Sequence, residues 1–321
     1  MAKVTVIIPS YNAEQHIERC LLSFEKQDYR DFDILIIDDA STDKTVEKIH
    51  EVAEKLSFPV SVLQQAVNAG PAAARNHGIK HASSEYICFC DSDDWYDSNY
   101  LSVMMDRIQN DCSDVAFCGY KVVSPEGKEE FRPLPSDQII SESAAALKLD
   151  VDSLCVMIVK RQLIQQIEIP NLRNGEDMAV IPLLIVKANQ CSVVEACLYN
   201  YFRNNNSASQ SATMNSVHSL ERSFEHVCKH FPEQADVALE YIGVRNLLYS
   251  ALITLFSIAY NTKEANRILE TFEECFPAWY KNPHICDMPG YKRMVLKMVH
   301  HRWYLALYAV AMVRKILTGS R

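Results

Sequence analysis

The chain of 321 residues has no Gly-x-Gly-x-x-Gly after its first apolar run and no Gly-x-x-x-x-Gly-Lys-Ser/Thr at any position. The glycine cradles of dinucleotide dehydrogenases and P-loop nucleotidases are therefore missing. Its 11 cysteines are odd in number and show no Cys-x-x-Cys or paired Cys/His spacing of a zinc site. Cys88, Cys90 and Cys118 lie inside apolar runs, where a thiol packs as a small hydrophobe, so reduced thiols in a cytosolic protein are expected. There is no basic excess either: 32 Lys and Arg against 41 Asp and Glu give a net charge of -9, which argues against a nucleic-acid binder. No secretory signal precedes the first strand-like run, and no stretch reaches the ~18 apolar residues of a spanning helix. What remains is 48% hydrophobic, the content of a packed globular protein with one large domain or two modest ones.

The most informative stretch is Tyr86-Ile87-Cys88-Phe89-Cys90-Asp91-Ser92-Asp93-Asp94-Trp95, an apolar run that ends in three carboxylates. A run without alternation suits a central strand covered on both faces, and ligands of open α/β sheets gather beyond the carboxyl ends of such strands. Asp91, Ser92, Asp93 and Asp94 thus fall where a ligand would sit. Crowded carboxylates repel unless a cation joins them, and hard oxygen donors suit Mg²⁺ or Mn²⁺. For Asp94 and Asp97 the ordinary role of turn former and helix cap is expected, because a helical pattern from Tyr100 to Ile108 follows them.

The first part of the chain alternates strand and helix. Val4 to Ile8 form a β-branched strand stopped by Pro9, and a helical period runs through Ile17, Leu21, Leu22 and Phe24. Ile34 to Ile37 are a second strand ending in Asp38 and Asp39, and Val60 to Leu63 a third, ending near Asn68-Ala69-Gly70-Pro71. A helix over Ala72 to Ile79 leads to the stretch above. Four such alternations predict a mostly parallel sheet with helices on its faces, so all four strand tips meet at one edge. That edge gathers Tyr11, Asp38, Asp39, Arg75, Asp91 and Asp93. Tyr11 can stack a planar base, Asp39 can accept from a base imide or ribose hydroxyl, and Arg75 can face phosphate.

Val4 to Glu14, then Ile37-Asp38-Asp39-Ala40-Ser41-Thr42-Asp43, then Asn68-Ala69-Gly70-Pro71-Ala72-Ala73-Ala74-Arg75-Asn76-His77-Gly78, and then Asp91-Ser92-Asp93-Asp94 resemble the ordered motifs of family 2 glycosyltransferases with the GT-A fold. The resemblance covers about the first two hundred residues. It implies that Pro9, Tyr11 and Glu14 contact the nucleotide, that Asp39 reads the base, usually uracil, and that Asn68, Gly70 and Arg75 lie near base and diphosphate. It also implies that Asp91 faces the ribose side and that Asp93 binds the metal. Asp43 also suits a helix cap. Glu176 and Asp177 open a helical pattern through Val180, Leu183 and Leu184; the resemblance gives the general base to Asp177, with Glu176 as the alternative, and predicts an inverting reaction. Cys197-Leu198-Tyr199-Asn200-Tyr201-Phe202-Arg203 with Ser207 and Ser209 resembles the family's closing segment, expected to fold over the diphosphate with Arg203 toward phosphate and residues 204–211 as a lid. Phe202 is an insertion relative to that pattern, and His218 has no assigned role.

The fold expected is thus an α/β GT-A domain over 1–215, followed by a helical C-terminal region over 216–321. The expected activity is transfer of a sugar, hexosyl in type, from a nucleotide diphosphate, a UDP-sugar by the resemblance, to a saccharide or lipid-linked glycan in bacterial surface polysaccharide assembly. The alternatives are a nucleotidyltransferase, which lacks its basic glycine-rich loop here, and a non-catalytic sugar-nucleotide binding module. Past Asp287 the tail is free of acids and carries seven basic residues around the apolar Trp303–Val313 stretch. Residues 291–317 therefore suit either the inner face of the plasma membrane or docking on the catalytic domain or a second subunit of a homo-oligomer.

Overall fold

A computed structural model describes residues 2–135, 137–172, 175–203, 212–232 and 237–318. The chain divides into two compact units, Met1–Asn171 with Leu184–Asn204, and Leu172–Leu183 with Asn205–Arg321.

The first unit opens with β1 (Val4–Ser10), α1 (Ile17–Glu25), β2 (Phe32–Asp38), α2 (Thr45–Ala53), β3 (Val60–Gln64), α3 (Pro71–His81) and β4 (Tyr86–Phe89). β1 and β4 are buried along their whole length, as uninterrupted apolar runs require of strands covered on both faces. β1 pairs in parallel with β2 and β4, and β2 with β3, so the four tips share one edge. Pro9 does not end the first strand. It lies buried within β1 opposite Ile37, and the strand runs on to Ser10, because a parallel ladder tolerates one missing donor near a strand's end. Gly78 sits on α3 where a Cβ would come within 2.4 Å of Ile7 Cγ2, so only glycine lets this helix lie close on the sheet.

The sheet then extends through β5 (Trp95–Tyr96), with α4 (Tyr100–Asn110) following it, β6 (Val115–Val123), β7 (Glu129–Arg132), β8 (Gln138–Ile140), β9 (Met157–Lys160) and β10 (Cys191–Phe202). The order is β3-β2-β1-β4-β9-β6-β10-β5, with β7 on β6 and β8 on β10. β9 is antiparallel to both β4 and β6, and β10 is parallel to β6. Two reversals restore the original direction. β10 therefore points the same way as β1 to β4 and delivers Phe202 to the edge where Asp39 and Asp91 lie. Between β8 and β10 come α5 (Ser143–Leu147), α6 (Arg161–Ile164) and α7 (Glu176–Lys187).

The second unit is helical: α8 (Met214–His230), α9 (Val237–Gly243), a π-helical segment Val244–Ala251 that runs straight into α10 (Leu252–Ile258), then α11 (Thr262–Cys275), α12 (Gly290–His300) and α13 (Tyr304–Thr318). Thr213 and Ser216 cap α8 reciprocally. Leu248, Leu252, Phe256, Phe272, Trp279 and Leu307 are fully or nearly fully buried in it. Among the described residues one helix is long and apolar enough to cross a bilayer by length and average composition, though it holds no uninterrupted run of ~18 apolar residues. Val237–Ile258 is 22 residues long with a mean hydropathy of 1.3, but 78% of that window is buried. Glu240, Arg245 and Asn246 interrupt the apolar run while leaving its average high, which is the composition of a core helix.

Candidate active site

At the tips of β1 and β2 the backbone is fixed by side chains from the neighbouring loop. Asn12, in the left-handed region at φ 47°, accepts from Thr42 N at 2.8 Å and donates its own N to Ser41 Oγ at 3.0 Å. Ala13 N donates to Thr45 Oγ1 at 2.7 Å, and Glu14 Oε2 accepts from Lys44 N at 3.3 Å. Asp43 Oδ1 accepts from Thr45 N at 3.0 Å, holding the start of α2. Tyr11, between these anchors, stands 47% exposed with its ring free to meet a ligand.

Asp38 is buried and accepts from Ser41 N at 3.2 Å, so it braces its own loop. Asp39 is more telling. Its Oδ1 accepts from Gln65 Nε2 at 2.6 Å and Ala69 N at 2.9 Å, and its Oδ2 from Gly70 N at 2.7 Å. A carboxylate offers about four acceptor positions, so one remains on Oδ2. Asn68 is exposed beside it. Gly70, at φ 89°, takes a conformation that disfavours any other residue, and Pro71 then starts α3 at its first turn. Asp39 thereby sets where α3 begins.

One turn along α3, Arg75 is 4% exposed and its Nη2 meets Asp91 Oδ1 at 2.7 Å. Contacts thus run without a break from the β2 tip through Gly70 and α3 to the β4 tip. Beyond Asp91 the chain turns tightly, with Ser92 inside the turn and Asp94 N donating to Asp91 O at 3.0 Å. Burial, and then the neighbouring Asp91 charge, push the Asp93 carboxyl up to about 6. A half-buried carboxylate crowded in this way is relieved by a cation.

Asp94 is fully buried; it closes this turn through its backbone N–H, as the sequence suggests, but its side chain caps no helix. Tyr199 Oη donates to its Oδ2 at 2.5 Å and Phe202 N to its Oδ1 at 2.7 Å, latching β10 to the acidic loop. Burial and the charges of Asp93 and Asp91 raise its pKa well above the usual range. Asp97 likewise caps nothing: it accepts from Asn200 Nδ2 at 2.8 Å and Lys121 Nζ at 2.7 Å, while Asn99 precedes α4. Both partners come from strands far along the chain, which local pattern could not reveal. Cys197 to Phe202 accordingly belong to a central strand; they do not form a cover over the edge.

Arg19 is a further participant that the sequence reading missed. Its guanidinium lies 4.2 Å from the Trp95 ring centre and 4.1 Å from that of Phe202, and its Nη2 donates to Asp93 O at 2.6 Å. Phe202, an insertion by the motif, is thus one plate of a sandwich that steadies the acidic loop. The only advance signal was that insertion. Arg203 is exposed, with its N donating to Val123 O at 2.9 Å. Residues 204–211, with the expected lid and Ser207 and Ser209, lie outside the described residues.

Glu176 and Asp177 open α7 in the segment grouped with the second unit; Glu176 is buried and Asp177 more accessible. Gly175 before them sits at φ 115°. Acids in a first turn complement the helix dipole. Among the described residues, His218, Glu221 and Glu264 in the second unit have ligand atoms within 4.8 Å of one another. Arg267 already meets both glutamates at 2.6 Å, so they form an ion-pair network. Asp91 and Asp93 supply hard oxygens, and Asp91 keeps Oδ2 beyond its contact with Arg75. Two carboxylates suit an ion whose other positions go to water and substrate phosphate.

Comparison with known proteins completes the description. A family model described as Glycosyl transferase family 2 matches residues 5–167. A Bacillus subtilis protein named as a teichuronic acid biosynthesis glycosyltransferase, TuaG, is 30% identical over 208 residues, covering 65% of this chain and 82% of that protein. The Staphylococcus aureus poly(ribitol-phosphate) beta-N-acetylglucosaminyltransferase TarS is 29% identical over 208 residues, covering 63% of this chain and 35% of its own length. The crystal structure of TarS 1–349 in complex with UDP-GlcNAc superposes with a TM-score of 0.71 at 21% identity, covering 99% of this chain and 92% of that one. The mannosyltransferase PcManGT from Pyrobaculum calidifontis, in complex with GDP-Man and Mn²⁺, gives a TM-score of 0.59 at 18% identity, covering 97% and 87%. At these identities the structural likeness speaks to fold.

Proposed function

The chain belongs to glycosyl transferase family 2 and carries a GT-A fold, and from that premise we propose that it moves a sugar from a UDP-linked donor to a saccharide or lipid-linked glycan in bacterial surface polysaccharide assembly. Family membership sets aside the nucleotidyltransferase reading. The observation that carries the proposal is the unbroken line of contacts from Asp39 through Gly70 and Arg75 to Asp91 at one sheet edge. It holds the base-reading end and the cation-binding end in fixed register.

In this reading Tyr11 stacks the base and the free acceptor position of Asp39 takes a base N–H. Asn68 and Gly70 shape the floor, with Pro9, Glu14 and Asp38 fixing the loops around it. Asp91 and Ser92 lie toward the ribose, and Arg203 faces phosphate. Arg75 holds Asp91 in orientation through their ion pair. Asp93 and Asp91 would hold Mn²⁺ or Mg²⁺, which when bound supplies positive charge to the departing diphosphate. Asp177, assigned by its motif with Glu176 as the alternative, takes the proton of the acceptor hydroxyl as that oxygen bonds to the anomeric carbon and the bond to the diphosphate oxygen breaks. A single displacement inverts that carbon. A cytoplasmic chain working at the inner face of the plasma membrane is the setting in which such acceptors are met.

A thermal-shift panel of UDP- and GDP-sugars with and without Mn²⁺ tests donor and ion together, since a ligand of the folded state raises its stability. Asp177→Asn should keep donor binding and lose transfer. A panel with no metal-dependent shift, or full transfer by that variant, refutes the corresponding assignment.

A further inference from the structure

The end of the second unit carries surface chemistry that sugar transfer does not use. Past Asp287 there are seven basic residues and no acidic one in a chain of net charge -9, which leaves the preceding part at -16. α13 is apolar on both sides. Tyr304, Leu307 and Ala311 are buried against other helices of the unit. On the opposite side Leu305, Ala309, Val313 and Ile316 follow at helical spacing with Leu317 beside them. Leu305, Ile316 and Leu317 are 72%, 76% and 80% exposed. No charge interrupts this stripe, for Arg314 and Lys315 turn aside to Tyr249 Oη and Ser257 O. Trp303 stands exposed at its start, and α12 presents Tyr291, Arg293, Met294 and Lys297 to solvent.

A helix apolar all round is not a solvated helix, and a contiguous apolar stripe of this kind marks a docking face. We infer that this end of the second unit docks on an anionic lipid surface. At 15 residues α13 extends about 22 Å, short of the roughly 30 Å hydrocarbon core, so it lies in the interface and does not cross it. Charge selects the occupant. A second copy would bring the same acid-free basic tail against its own kind, whereas anionic headgroups neutralise exposed cations such as Arg293 and Lys297 while the stripe enters the acyl boundary. The inference is independent of the transfer reaction proposed above.

The full chain is floated with vesicles of phosphatidylcholine alone and with phosphatidylglycerol added. Binding should require phosphatidylglycerol, weaken at about 0.5 M salt, and shift Trp303 emission to the blue, with Trp303→Phe identifying that signal. Leu305→Glu with Ile316→Glu, and separately Arg293→Glu with Lys297→Glu, should each lower partitioning roughly tenfold or more while the melting temperature stays at the wild-type value. Equal binding to both vesicle types, or binding to neither, overturns the inference. So does a dimer in sedimentation that Leu305→Glu with Ile316→Glu dissolves, which would assign the stripe to a second copy.

Discussion

Replacing Asp93 with asparagine should make the metal-free protein more stable and useless for metal-dependent donor binding. Burial and Asp91 raise the Asp93 carboxyl from 3.8 to about 6. A group whose folded pKa exceeds its unfolded value binds its proton more tightly when folded. Below about pH 4 both states hold the proton and the residue contributes nothing to the difference. Between about pH 4 and 6 the unfolded chain releases it first, so stability falls as pH rises, and above 6 the loss is complete. The rise from 3.8 to about 6 is about two units, and at about 1.36 kcal/mol each this amounts to up to about 3 kcal/mol at neutral pH. The asparagine side chain keeps the shape without the charge. Urea unfolding in chelator from pH 4 to 8 should show the two proteins converging at the acid end and Asp93→Asn ahead by up to about 3 kcal/mol at the other. Added Mn²⁺ should raise the wild type and leave the variant unmoved. A variant no more stable than wild type at pH 8, or a gap that does not close toward pH 4, refutes the argument that desolvation and Asp91 strain this carboxylate.

Two further outcomes test the scaffold. Tyr199→Phe removes a donor from the buried Asp94 carboxylate and should cost about 2–3 kcal/mol in denaturant unfolding, with a double-mutant cycle against Asp94→Asn giving a coupling of at least about 1 kcal/mol. Gly78→Ala forces a Cβ to 2.4 Å from Ile7 Cγ2 and should lower stability by about 1–3 kcal/mol, a loss that shrinks when Ile7→Ala opens the space.

Much of the first unit was legible because its determinants are local. Apolar β-branched runs separated by helical periods give parallel strands, and parallel strands bring their tips to one edge wherever the connecting helices lie. The acids at those tips could therefore be grouped before any coordinates. Their individual duties could not. Asp94 and Asp97 look alike in sequence, as polar residues ahead of a helix. Their partners Tyr199 and Asn200 lie 105 and 103 residues further on, and only the double reversal through β9 carries β10 back to meet them. Arg19 was invisible for the same reason, since its sandwich needs Trp95 and Phe202 from two other elements.

By itself the sequence determined the alternating architecture, the acidic strand ends and the segregation of positive charge at the tail, because each depends on residue type and short spacing. Tertiary structure alone decided which carboxylates are buried as latches and which side of α13 is left bare. Burial and pairing are set by what folds against a residue, and that is not written in its neighbours along the chain.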